Sequence, residues 1–466
     1  MEKANIDSSL KKCSQIHIPN YLIWAQSTAF LVLYGFWMLP EIVGFRNTAL
    51  VLGALLGLYP IYQYRYALFQ KRALPICLIL GLFAWVLIHF FFLAGDGDAE
   101  LIQLNRIWKY TALGSLFALG LGISLANGKT KQKQYWALIY LGLSLPVLIY
   151  LLKYLLTTHG AYFGIEVPAY LRIYFGTQPY YVPKTDYVSF CLPTLAISLG
   201  QIQAVLVSRS TLKWRQYGAI AIYLAIIAAT LFLFFIQNIK NGMAYAALCI
   251  GVFVIMLVFQ ARNTHFWRKI IVALAVLGVS AAALYPHIQE NDSWKTLVAD
   301  TRIAFQLDKY QQWKYAGAQG YPNNEYVKMV SITNYERAAW FKVGLQLASQ
   351  NPWGYGLVED SFKKMAKARW PEVSPNLSHS HSGWLDVVLA LGFPGFLCIL
   401  MSLIIAIKQS SGICEPWRGL VFWSLTANLV LWCTTEVSST ITFAVLIFWI
   451  SWGAGLTLIK LTRDQK

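Results

Sequence analysis

Apolar residues in this chain come in long unbroken runs, not in the alternation expected of half-buried strands. Runs near the ~17–25 residues that a helix needs to cross a ~30 Å hydrocarbon core lie at 21–43, 49–63, 74–94, 110–126, 135–156 and 187–207. Six more follow at 217–236, 243–260, 270–285, 382–407, 419–435 and 439–459. The pattern predicts an all-α polytopic membrane protein with about 12 transmembrane helices. The one long polar interruption, 286–380, separates the ninth run from the tenth, is too polar to span and exceeds an ordinary linker. Inside it, "TNYERAAWFKVGLQLASQNPWGYG" spaces Trp340, Val343, Gly344 and Leu347 along one helical face, with Asn334 as the candidate N-cap. Asn351-Pro352, Gly354 and Gly356 predict a turn after it, and a second polar helix is predicted from Glu359 to Arg369, ahead of Pro371 and Pro375. The expected organisation is a single membrane domain, 1–466, with 286–380 as an inserted, partly helical loop.

Composition agrees with this pattern: 57% of residues are hydrophobic, 13% are charged and the mean hydropathy is +0.49. The first twenty residues are polar and carry Lys3, Lys11 and Lys12, with no cleavage-site pattern after the first run, so a retained N-terminus is expected. Placing that end inside puts 20 of the 38 basic residues in short connections on one side, Lys460, Arg463 and Lys466 among them, against six in the short connections opposite. By the excess of Lys and Arg in cytoplasmic loops, both termini are expected in the cytoplasm and the 286–380 loop in the periplasm. A basic inner rim facing anionic lipid accounts for the net charge of +17, so no nucleic-acid partner is implied. Of the seven cysteines, Cys13 and Cys414 fall on the inner side and the rest in or near runs, so no disulfide framework is expected. The chain shows no internal repeat.

The candidate chemistry gathers where the long loop re-enters the membrane. "LSHSHSGWLDVVLALGFPG" sets His379 and His381 at the head of the tenth run, among serines that make good helix caps. A helix N-terminus disfavours added positive charge, so His381 there is suited to remain neutral and take a proton from a hydroxyl. The alternative is a pair of interfacial histidines that solvate a helix end. Two histidines without a Cys or a close-set His or Glu fall short of a zinc site. Arg337 sits one turn before Trp340 on the inward side of its helix, where an ordinary amphipathic surface helix is the competing reading. Asp96 and Asp98 in "DGDAE" have the look of the metal-binding acids of lipid-linked sugar transferases, and equally of plain loop residues.

These segments resemble the O-antigen ligase and Wzy-type polymerase superfamily. "HSGWLDVVLALGFPG" is similar to the family segment that opens on His and runs through an apolar helix to a Gly-x-x-Gly-like bend, and counting back from Gly392 and Gly395 puts the family histidine on His381. "NPWGYGL" resembles its Asn-Pro-x-x-Gly-x-Gly turn, and "RAAW" its Arg-x-x-Trp helix at Arg337 and Trp340. Ser382 stands where the family usually has Asn, leaving Ser380 or Ser382 to orient the imidazole, and Lys240 in "IQNIKNGMAYA" stands where it has a second arginine. About twelve spans with a large outer loop between the ninth and tenth also match.

The resemblance implies a metal-independent, inverting glycosyltransferase of the inner membrane, with no cofactor. Its donor would be a glycan on undecaprenyl diphosphate, with Lys240, Arg337 and His379 binding substrate and His381 as the general base. The chain ends seven residues after the last run, which points to lipid A-core as the acceptor. A pilin-type protein acceptor, a growing glycan, and the non-enzyme alternative of a lipid-linked glycan flippase stay open. Against a carrier, no two similar halves are visible.

Overall fold

A computed structural model describes residues 18–459 apart from 129, 175, 177, 209–212, 260–265, 291, 437 and 438. Lys3, Lys11, Lys12, Cys13, Lys460, Arg463 and Lys466 lie outside the described residues. Every predicted run is helical. The first half holds α1 (Asn20–Phe36), α2 (Val43–Gln63), α3 (Leu74–Phe92), the short α4 (Gly97–Gln103), α5 (Lys109–Asn127), α6 (Gln132–His159) and α7 (Lys184–Ser208). Then come α8 (Trp214–Ile236), α9 (Lys240–Phe259) and α10 (Phe266–Glu290). The loop region contributes α11 (Asp292–Lys295), α12 (Leu297–Ala304), α13 (Ile332–Gln350) and α14 (Ser361–Arg369), before α15 (Gly383–Ser410), α16 (Trp417–Leu431) and α17 (Thr440–Thr457).

Among the described residues, nine helices are long and apolar enough to cross a membrane. The other three predicted runs also fold as helices, but α1 has 17 residues and α16 has 15, while Arg46 and Asn47 dilute the apolar surface of α2. The protein is a polytopic all-α membrane protein. Its centre is α17, where every residue from Thr442 to Thr457 is buried, as an all-apolar helix requires.

Several boundaries depart from expectation: the first run stops being helical at Phe36 and α2 starts at Val43, and three further shifts have a local reason. The helix of the ninth run, α10, continues through Pro286 to Glu290, so the polar connection starts later than Pro286. Ser331, not Asn334, precedes α13; Asn334 lies inside the first turn, and its Nδ2 donates to Ser293 O at 2.7 Å and Asp300 Oδ2 at 3.0 Å. That buried Asp300 also accepts from Thr296 Oγ1 at 2.7 Å, Ser331 N at 3.1 Å and Asn324 Nδ2 at 2.9 Å, which pins α12 to α13. Finally, α16 stops at Leu431, short of the predicted Thr435. The first backbone donors of α15, which no helix can satisfy internally, reach across instead: Gly383 N to Thr435 O at 2.7 Å and Trp384 N to Trp432 O at 3.1 Å.

The "NPWGYG" turn proves to be a clasp on a broken helix. Gly392 interrupts α15 with φ +66° and ψ −177°, a conformation open to glycine. The carbonyls freed by the break accept from the turn: Leu389 O from Tyr355 N and Ala390 O from Gly356 N, both at 2.8 Å, while Phe393 N donates to Pro352 O at 2.9 Å. Leu391 O takes Trp85 Nε1 at 2.7 Å. The approach is so close that a Cβ on Gly354 would lie 2.4 Å from Gly392 N.

Candidate functional site

Arg337 and Trp340 share one face of α13 because three residues make nearly one helical turn. Arg337, with Thr333, Asn334, Ala338 and Phe341 of the same helix, lines a cavity of about 840 Å³ at the ends of α7, α9 and α15, capped by α11 to α13, while Trp340 is buried beside it. Lys184 from the first turn of α7, Lys240 from the first turn of α9, and Arg337 all line it. Lys240 Nζ donates to Ser293 Oγ, and Arg337 Nη1 donates to Thr434 O at 3.1 Å while its Nε is buried without a partner. His381 and Glu436 complete the polar wall, and Trp294, Phe305 and Phe341 supply aromatic surface.

His381 does not sit on the helix itself. Ser382 is the N-cap of α15, its Oγ accepting from Leu385 N at 3.5 Å, and His381 precedes it with a left-handed φ of +59°. Ser380 holds that bend by donating from N and Oγ to Asp386 Oδ1 at 2.9 and 2.6 Å. Neither serine therefore orients the imidazole, contrary to expectation. Trp340 does so by stacking in parallel with the ring, centroids 5.1 Å apart and planes within 2°, while its own Nε1 is fixed on Trp313 O at 3.0 Å. Glu436 does so from the other side, with Oε2 3.6 Å from His381 Nδ1. His379 stands edge-on to His381 at 4.3 Å, its Nε2 3.9 Å from Glu436 Oε1, and is not part of the cavity wall.

Burial lowers both imidazoles below the ordinary 6.5, so each is neutral at physiological pH. For Glu436 burial works in the opposite direction, but the donor contact from His381 and the charge of Arg337 favour the ionised carboxylate and hold it below its usual range. The result is an ionised carboxylate against a neutral imidazole. His381 Nδ1 is buried, so Nε2 is the nitrogen left to face the cavity.

The structure thus brings Lys240, Arg337 and His381 to one cavity and sets His379 behind it. Asp96 and Asp98 lie elsewhere: Asp96 caps α4 by accepting from Ala99 N at 3.1 Å and pairs with Lys364, which is loop chemistry. Two cavity residues escape a reading of the motifs. Lys184 stands just ahead of the 187–207 run without any marked context. Glu436 has one signal, as the sole acid between Pro416 and Thr457. It also supplies the close-set third donor that the histidine pair lacks in sequence, since one ligand atom from each of His379, His381 and Glu436 lies within 4.8 Å of the others. Cys433, read as part of a run, lies beyond the end of α16 in the cavity wall.

Residues 218–400 match the family model described as O-antigen ligase. Over that part the chain is similar to O-antigen ligases, which supports an assignment to the O-antigen ligase and Wzy-type superfamily and a membrane glycosyltransferase of the ligase or polymerase type. The match takes in Lys240, Arg337, His379 and His381, whereas Lys184 and Glu436 fall outside it. No curated protein matches the chain.

Proposed function

We propose that this protein transfers a glycan from undecaprenyl diphosphate to a hydroxyl of lipid A-core, at the periplasmic face of the inner membrane, by inversion at the anomeric carbon and without calling on a metal. The observation that carries the reading is the single cavity where cations and a neutral imidazole meet. Lys240 and Arg337 hold the donor diphosphate and offset the charge that grows on it as the glycosidic bond breaks. The acceptor oxygen attacks the anomeric carbon from the opposite side, and its proton goes to His381 Nε2. Glu436 receives the Nδ1–H, keeps Nε2 free of hydrogen and stabilises the imidazolium once formed, a role that its 3.6 Å separation allows with a small closure. Undecaprenyl diphosphate leaves as product.

The deciding experiment incubates purified protein with lipid-linked glycan and lipid A-core, with products read by mass spectrometry. A glycan joined to the core supports the assignment. Elongation on the carrier alone, glycosylation of pilin alone, or movement of label between leaflets without a new glycosidic bond would each replace it.

A further inference from the structure

The geometry points to a zinc-binding site formed by His379, His381 and Glu436, one that competes with the use of His381 as a base. Two imidazoles and a carboxylate are a donor set that Zn²⁺ favours. Bonds of about 2.0–2.1 Å place tetrahedral zinc ligands roughly 3.3 Å apart. The pairs here stand 3.6 Å (His381 Nδ1 to Glu436 Oε2) and 3.9 Å (His379 Nε2 to Glu436 Oε1) apart, and all three donors lie within 4.8 Å. Modest side-chain rotation closes that gap. The atoms are also available, since Glu436 Oε2 and His381 Nδ1 are buried without hydrogen-bond partners.

The surroundings favour a cation. Asp386 and Glu336 act on His379 along with Glu436, whereas Arg337 is the one cation that acts on it. Imidazole nitrogen selects a transition metal over Mg²⁺ or Ca²⁺, which prefer oxygen. Binding has a direct chemical consequence. A neutral imidazole has one lone pair, and if zinc takes it at Nδ1 the ring hydrogen must sit on Nε2, which can then donate but not accept. That consequence, though not the site itself, rests on the role given to His381 above.

The test titrates the full-length detergent-purified protein with Co²⁺ and reads its visible spectrum. The expected result is one Co²⁺ per chain with tetrahedral d–d bands, displaced by Zn²⁺ and not by Mg²⁺, with affinity lowered at least about tenfold in His379→Gln and in Glu436→Gln. In case a variant misfolds, a second measurement uses the wild type alone: Zn²⁺ should slow diethyl pyrocarbonate modification of His379 and His381, mapped by mass spectrometry. No d–d spectrum together with no protection overturns the site. So does a thiolate charge-transfer band that persists in Glu436→Gln and disappears in Cys433→Ser. Transfer should be inhibited by Zn²⁺ and restored by EDTA. If the loaded protein still transfers glycan, the zinc site stands and His381 as base falls.

Discussion

His381 keeps a left-handed backbone, φ +59°, that costs an L-residue about 1–2 kcal/mol. The bend carries its ring off the axis of α15 and under Trp340, with Nε2 toward the cavity. His381→Ala is accordingly expected to lower transfer by about 10²–10⁴-fold with little change in donor affinity, whereas His379→Ala, set behind the wall, does much less. Single-turnover assays on both folded variants decide this; a dead His379→Ala beside a normal His381→Ala would reverse the assignment. Since burial lowers the His381 pKa, wild-type activity should hold down to about pH 6.5 and decline only below it, as the base becomes protonated. Glu436→Gln removes a charge that favours the imidazolium, so its acid limb should move lower still and kcat should drop by about 10²-fold or more. A limb that stays in place separates Glu436 from the titration. Lys240→Ala and Arg337→Ala should each weaken donor binding by roughly ten- to a hundredfold, the ~1.5–3 kcal/mol of a charge-assisted contact, as measured with labelled lipid diphosphate.

At the scale of elements, the turn at Gly354 and the break at Gly392 are one unit, because each stands where the other needs space. Gly354→Ala places a carbon 2.4 Å from a backbone nitrogen that cannot rotate away, so about 1–3 kcal/mol of stability should be lost. Gly278→Ala, with nothing within 4 Å of the added carbon, should leave thermal unfolding in detergent unchanged. Equal melting of the two variants would mean that the clasp contributes nothing. Asp300 performs a comparable service for the cap over the cavity, accepting from four donors on three segments. Leaving such donors buried and unpaired costs about 1–3 kcal/mol each. Asp300→Ala should therefore open the 292–380 region to limited proteolysis while the membrane helices stay protected.

For the whole molecule, orientation is the quantity to measure. Cys433 lies in the cavity wall and Cys414 is exposed at the opposite end of α15. In single-cysteine variants, an impermeant maleimide should label Cys433 in cells whose cytoplasmic membrane is intact, and Cys414 only after permeabilisation. The reverse pattern would turn the topology over and put the cavity in the cytoplasm.

Helix number and the basic asymmetry were legible in the chain because the bilayer acts on every residue of a span in the same way, so a run of apolar residues suffices. That Arg337 and Trp340 share a helix, and that the two histidines stand at the head of the tenth run, was legible too, since both rest on spacing within one local segment. Glu436 was not. It lies 55 residues beyond His381, outside any motif, and reaches the imidazole where α16 has ended and the first donors of α15 take Trp432 O and Thr435 O, with Cys433, Thr434 and Glu436 on the cavity wall. Lys184 was hidden for the same reason, being an ordinary lysine just ahead of a run until the packing of α7 beside α9 brings it to the wall. Periodicity and local spacing act along the chain, whereas a site assembled from α7, α9, α13 and the segments beside α15 and α16 depends on backbone groups that find their partners only when the bundle closes.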